Sequence, residues 1–315
     1  MLCGILLLDK PLGLSSNAAL QRVRTLLEGV KAGHVGSLDP LATGMLPICV
    51  GEATKVAGEL GAARKRYRFR VALGARTASG DAEGEVIERA PVPPLDPATV
   101  EGVLERMRGR GQQIPPMYSA LKREGEPLYR LARAGVTVER APRAIELAEL
   151  SLTALEEGPA LRLEALCSKG TYVRVLAEDV ARGLGTVGHV TQLRRMYVEP
   201  FEHEPMETLE SIDAQRARGH WPRLLAPDAA LASLPAIHLT PDQARRVRMG
   251  QSVITGPRES GAGDSERRVR LYDETGTFFG IGVSAPSGAI HPRRLFGLCP
   301  SSRGLYNARL AKKGS

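Results

Sequence analysis

The residues best placed to do chemistry lie between Lys31 and Lys55, in the run KAGHVGSLDPLATGMLPICVGEATK. Asp39 supplies a carboxylate there, and His34, five residues earlier, an imidazole. Four glycines, with Pro40 and Pro47, argue against a long helix and prescribe a shaped loop around Asp39. A carboxylate presented on a stiff loop can serve as nucleophile or proton acceptor. Asp-Pro is also a frequent turn opener, because the Asp side chain bonds its own backbone. Spacing alone favours the turn.

Two other stretches carry reactive groups. In RKRYRFRVALGAR, Arg64, Lys65, Arg66, Arg68 and Arg70 place five cations within seven positions, around Tyr67 and Phe69. Guanidinium groups interleaved with an aromatic suit phosphate contacts beside a stacking ring. A sheet edge guarded by charge has the same composition. In LRLEALCSKGTYVRVLAEDVARGLG, Tyr172 and Arg174 follow a Ser168-Lys169-Gly170 turn. Arg174 precedes Glu178 by four residues, which alone reads as an exposed helical ion pair of little weight. Lys10, in DKPLGLSS, is by itself a surface lysine.

The elements that must hold these groups follow from period and punctuation. ILLLD at 5–9 reads as a buried strand, and KPLG as a tight turn. Ser15 or Ser16 then caps a helix to about Gly29, with Leu20, Val23, Leu27 and Val30 on one face. Tyr67, Phe69, Val71 and Leu73 alternate with Arg68 and Arg70 as a half-buried strand. TASGDAEGE, from Thr77 to Glu85, reads as a polar loop. Asp96-Pro97 opens a helix ended by Gly109, with Val100, Val103, Leu104 and Met107 inward. Leu161, Leu163 and Ala165 alternate as a strand, and Val173, Ala177, Val180 and Leu184 line a helix face.

From about 230 the character changes. Thr240 and Pro241 start a helix that stops at Gly250. The strand-like runs VRLYD, TFFGIGV, APSGAI and HPRRLF follow, and PRESGAGDSERR reads as a polar loop. Gly280, Gly282 and Ala285 match G-x-G-x-x-A, but inside a strand pattern with no βαβ unit after it, so a dinucleotide site is rejected.

Composition sets the bounds. The chain has 315 residues, 43% hydrophobic and 25% charged, which is ordinary for a soluble globular protein with room for two domains. No transmembrane run is present, and the apolar opening meets Asp9 and Lys10 with no basic stretch before it, so no signal peptide is expected. Cys3, Cys49, Cys167 and Cys299 form no C-x-x-C pair and are expected to be reduced thiols. The net charge of +8 is uneven: 11 basic against 5 acidic residues in 1–78, 26 against 30 in 79–292, and 6 against none in 293–315. Basic ends around a slightly acidic middle suit a polyanion that touches both. No Walker A, H-E-x-x-H or deaminase zinc signature is present, and neither metal nor cofactor is expected.

GHVGSLDPLATGMLPICVGEATK resembles the catalytic motif of the bacterial tRNA pseudouridine synthase B family over more than twenty consecutive positions, with Val35 and Ser37 where Thr and Ala are usual. D-K-P-x-G-x-S-S resembles that family's first motif, and K-R-Y-R the context of its active-site tyrosine. S-K-G-T-Y-V-R is similar to the motif that sends a tyrosine and an arginine into the active site, and HVTQLRRM to the segment closing the uridine pocket. QIPPMYSALKREGEPLYRLARAG resembles the RNA-clasping insertion.

The resemblance implies Asp39 as the catalytic residue, Arg174 as its cationic partner, and Tyr67 packed on the target base. It implies substrate-binding roles for Lys10, His34, Tyr172 and Leu193, and backbone contacts from Tyr118, Lys122 and Arg123. The implied fold is α+β. A mostly antiparallel mixed sheet flanked by helices fills a catalytic domain over 1–230, with the insertion at about 110–145. A small β-rich PUA-like RNA-binding domain follows over 231–298, and a basic tail over 299–315 is expected to be disordered. The implied activity is isomerisation of the T-loop uridine of tRNA, position 55, to pseudouridine. The expected enzyme is a cytoplasmic monomer with no cofactor, no membrane and no obligate protein partner. The alternatives are a guide-RNA-dependent subunit, against which the compact chain speaks, and a non-catalytic tRNA-binding protein, against which the intact Asp39, Tyr67 and Arg174 set speaks. Whether Asp39 attacks base or sugar or removes a proton, it must be ionised. Burial opposes that, and a facing guanidinium is expected to reverse the effect.

Overall fold

The computed structural model describes residues 2–156, 158–256 and 265–297. Most of the polar loop expected from 257, and the basic tail at 299–315, lie outside the described residues.

The first strand, β1 (Gly4–Lys10), is buried along nearly its whole length, as its apolar run demands. It pairs antiparallel with β3 (Ala42–Val50), whose far end also takes β2 (Ala32–His34). Further along come β4 (Lys65–Leu73), β5 (Gly109–Gln113), β6 (Arg143–Glu156), β7 (Ala160–Cys167) and β8 (Gly188–Val198). The sheet runs β1-β3-β8-β4-β7-β6-β5, with β2 beside β3. Every neighbouring pair is antiparallel except β3 and β8, which run parallel where Leu193–Arg195 meets Ala42–Gly44.

The second half of the 31–55 stretch is therefore a strand, not loop. Pro47 is tolerated because it stands opposite Leu7, whose carbonyl accepts from Glu207 N, away from β3. That pair exchanges no hydrogen bond, so the missing N–H interrupts nothing between β1 and β3; on the other side Pro47 O still accepts from Val35 N, just past the end of β2. Gly44 has φ 97°, and a Cβ there would run into the Arg195 carbonyl. Only glycine lets β3 and β8 come this close.

Helices α1 (Ser16–Leu26), α2 (Pro97–Met107) and α3 (Val173–Gly183) bury their predicted faces. Leu20, Val23, Val100, Leu104, Ala177 and Val180 join Tyr67, Phe69 and Val71 of β4 in one core. The opposite side of β4 is different. Arg68 pairs with Glu164 at 2.5 Å, Arg70 with Glu156 at 2.5 Å, and Arg66 with Glu149 and Glu164. The guanidinium stripe expected to meet phosphate is thus matched by glutamates of β6 and β7.

The C-terminal module has β9 (Ala236–His238), α4 (Pro241–Arg248), β10 (Val253–Ile254), β11 (Arg267–Tyr272), β12 (Phe278–Ser284) and β13 (Ala289–Leu295). Its sheet order is β9-β11-β12-β13-β10. APSGAI and HPRRLF make one turn and one strand, because Gly288 N closes back on the Ala285 carbonyl. Ile281 and Phe296 of this module share a core with Ile5, Leu7 and Leu60. Arg268 also grips both Glu59 oxygens, at 2.8 and 2.9 Å. The expectation of reduced thiols holds for Cys49 and Cys167, which are free and buried; Cys3 departs from it, being disulfide-bonded. Among the described residues no helix is long and apolar enough to cross a membrane.

Candidate active site

Asp39 sits on the loop joining β2 to β3, and the chain ties that loop down on both sides of it. Ser15 caps α1, accepting from Ala18 N at 3.1 Å. Ser16, its neighbour, is buried and turns to the loop instead, accepting from Leu38 N at 2.7 Å and donating to Leu38 O at 3.0 Å. On the other side, Pro40 O accepts from Gly13 N at 2.9 Å and from Lys10 Nζ at 3.5 Å. The carboxylate between these anchors keeps 42% of its side chain exposed, so an incoming group can reach it.

Arg174, in the first turn of α3, closes the site. Its side chain is 6% exposed, and its Nε lies 2.9 Å from Asp39 Oδ2. Its Nη1 donates to Ser79 O at 2.6 Å and its Nη2 to Tyr118 O at 2.7 Å. The helical pair with Glu178 suggested by spacing is replaced by these contacts. A second carboxylate, Asp81, stands 3.7 Å from Arg174 Nε. Asp81 was hidden in a segment that reads only as polar loop. It is 3% exposed, accepts from Ser79 Oγ at 2.5 Å, and is held because Ala82 and Gly80 pair with Val190 of β8. Nothing in TASGDAEGE marks one acid as buried; only that tertiary pairing does.

The charges oppose one another. Burial pushes the Asp39 pKa up, Arg174 pulls it down through charge and hydrogen bond, Asp81 adds to the rise, and the net shift is upward. The guanidinium therefore offsets burial without reversing it, which corrects the expectation. Lys10 is fully buried, with its ammonium on Leu14 O at 2.5 Å and Pro11 O at 2.9 Å. Burial lowers its pKa to about 8. It is a tie for the loop and not the surface lysine that its sequence suggested.

Tyr67 on β4 is 8% exposed, directly across from Arg195 of β8. Burial raises its pKa. Arg195 was not singled out from sequence, yet it is 1% exposed and braces the site, with Nε on Met45 O at 2.6 Å and Nη2 on Gly36 O at 2.8 Å. Leu193, two residues before it, faces Phe69 and Ala42 and belongs to the same core as Tyr67. His34 is half-buried on β2 opposite Ile48, with Nδ1 buried and unpartnered. Burial and Arg195 lower its pKa. Tyr172 is the residue before α3, and Gln113 of β5 holds its backbone. Lys122 and Arg123 lie exposed on a small hairpin, where Arg123 donates to Glu139 O.

A pattern of the TruB family pseudouridylate synthase N-terminal domain matches residues 24–173. Two further patterns, tRNA pseudouridylate synthase B C-terminal domain and Pseudouridine synthase II TruB C-terminal, match 174–227 and 235–296. A protein of Ectopseudomonas mendocina named tRNA pseudouridine synthase B is 50% identical over 296 residues, covering 93% of this chain and 94% of that one. One of Nitrosococcus oceani with the same name is 47% identical over 295 residues, covering 93% and 94%. Among solved structures, a Cbf5-Nop10-Gar1 complex contains a chain with TM-score 0.69 and 20% identity, covering 95% of this chain and 86% of that one. A chain of an H/ACA RNP bound to a substrate RNA containing 2'-deoxyuridine gives TM-score 0.70 at 19% identity, covering 94% and 86%. At those identities the structural likeness speaks for the α+β fold.

Proposed function

The chain belongs to the TruB pseudouridylate synthase family, and from that premise we propose that the Asp39–Arg174 cleft isomerises uridine 55 in the T-loop of tRNA to pseudouridine. The observation that carries the assignment of the site is the 2.9 Å contact between Arg174 Nε and Asp39 Oδ2, made by groups far apart in the chain. The reaction breaks the bond from ribose C1' to uracil N1, turns the ring, and joins C1' to C5. The C5 proton leaves and N1 gains one, so no electrons are exchanged and the step needs no redox partner. Asp39 acts as the anion, on carbon or as the acceptor of a proton, and Arg174 favours that anionic form.

A uridine within folded RNA must first leave its stack, at about a few kcal/mol. Packing on the face of Tyr67 recovers roughly 1–3 kcal/mol of that cost. Leu193 supplies the apolar wall, His34 and Tyr172 the rim, and Lys10 acts from beneath by fixing the loop. We divide the chain into a catalytic domain over 1–230, with a clasping insertion near 110–145, and an RNA-binding module over 231–298. We further propose a cytoplasmic monomer acting on the T-arm without an obligate protein partner.

A tRNA transcript carrying tritium at uracil C5 tests the reading. Wild-type protein alone should release tritium, and Asp39→Asn should release none above background. Release only after a guide RNA or partner protein is added would assign the chain to the guide-dependent relatives. Binding of the transcript without release would make it a non-catalytic binder.

A further inference from the structure

Gln113 ends β5, where the insertion begins, and is 4% exposed. Its amide nitrogen donates to Tyr172 O at 3.1 Å, and its amide oxygen accepts from Tyr172 N at 2.7 Å. One side-chain amide thus satisfies both polar groups of a single backbone residue, as a neighbouring strand would. Tyr172 is extended, at φ −98° and ψ 109°, and offers α3 no side-chain cap. Tyr172 O also accepts from Leu176 N at 3.0 Å, the first bond of the helix, so the side-chain hold on its entrance is supplied from outside it.

The same segment makes a second grip. Tyr118 O accepts from Arg174 Nη2 at 2.7 Å. A guanidinium is a rigid fork, so the direction of Nε follows from where Nη1 and Nη2 are held. With Nη1 on Ser79 O and Nη2 on Tyr118 O, Nε faces Asp39. The segment 113–118 thereby sets both the helix start and the orientation of its arginine.

We propose that Gln113 is a positioning residue for the reaction, seating the insertion against α3 so that Arg174 meets Asp39. It rests on the reading of the Asp39–Arg174 cleft as the reaction centre. Engagement of RNA by the insertion then reaches the chemistry through this bracket. The bracket needs one donor and one acceptor. Glutamate offers only the acceptor, and leucine offers neither, leaving Tyr172 N–H unpaired and its C=O with the Leu176 N–H of the helix as its one remaining donor.

Gln113→Leu and Gln113→Glu test this, each alone and in an Arg174→Lys background. Turnover, KM for the tRNA transcript and melting temperature are measured for all. In the otherwise wild-type protein kcat should fall on the order of tenfold to a hundredfold, as small misplacements do. KM should stay within about threefold, since no transcript contact is lost. In the Arg174→Lys background the same change should cost less than about twofold, because the group it positions is already displaced. Wild-type turnover in a folded Gln113 variant would overturn the inference. So would a rise in KM at constant kcat, which marks an RNA contact, or equal losses in both backgrounds, which mark general structure. If Gln113→Leu fails to fold, Gln113→Glu decides by the same criteria. The wild-type rate is measured first: no release there counts against the proposed function itself, whereas release with unchanged Gln113 variants counts against this inference alone.

Discussion

Arg174 draws three chain segments to one guanidinium: the Asp39 loop, the Ser79–Asp81 loop and the start of the insertion at Tyr118. Asp39, Tyr67 and Arg174 were legible only through the family resemblance of the runs they sit in, since spacing alone favoured a turn for Asp39 and an exposed ion pair for Arg174. Asp81, Arg195 and Gln113 were not, because what distinguishes them is burial created by partners elsewhere in the chain. His34 shows the same limit in charge. An imidazole five residues from a reactive carboxylate invites a proton-transfer role, yet burial and Arg195 lower its pKa. It is thus neutral over a wider range, gaining a proton only below its ordinary value. His34→Gln should therefore leave the shape of the pH–rate profile unchanged while weakening transcript binding. A limb of the profile that vanishes with the substitution would restore the proton-transfer role.

At the scale of elements, α1, α2 and α3 announced themselves by period and β4 and β7 by alternation, while β3 did not. Its glycine and proline looked like loop, and only its partners, β1 and β8, make it a strand. The two serines at the start of α1 show how finely a local signal must be divided. Either fits a cap by type; the structure gives the cap to Ser15 and the loop anchor to Ser16. Ser15→Ala should cost about 0.5–2 kcal/mol of stability, the usual loss of a helix cap, with turnover intact. Ser16→Ala should cost about 1–3 kcal/mol, because it orphans the Leu38 backbone, and should also slow turnover. Urea unfolding beside single-turnover rates separates the two. Equal kinetics for both variants would contradict this division.

Across the whole molecule the basic character is partly cancelled. The stripe Arg66, Arg68 and Arg70 looked like a phosphate surface, but Glu164 of the adjacent β7 and Glu149 and Glu156 of β6 beyond it answer it. Sequence order cannot show that pairing, since the acids come some eighty to a hundred residues later and meet the arginines only through sheet register. Arg68, half exposed in its ion pair, tests the point. Arg68→Ala should change stability by less than about 1 kcal/mol. It should leave the salt dependence of tRNA binding unaltered, because a lost phosphate contact would lower that slope by about one. A lowered slope would return this face to the RNA. At the centre of the molecule, Arg174 opposes the rise that burial imposes on the Asp39 carboxyl. The pH dependence of the single-turnover rate, for wild type and Arg174→Gln on one tRNA transcript, tests it most directly. Activity needs ionised Asp39, so the rate is lost as pH falls through a pKa above the ordinary carboxylate value, and removing the cation must shift that acid limb to still higher pH. An acid limb that stays in place, with only a lower plateau or weaker binding, would contradict the account.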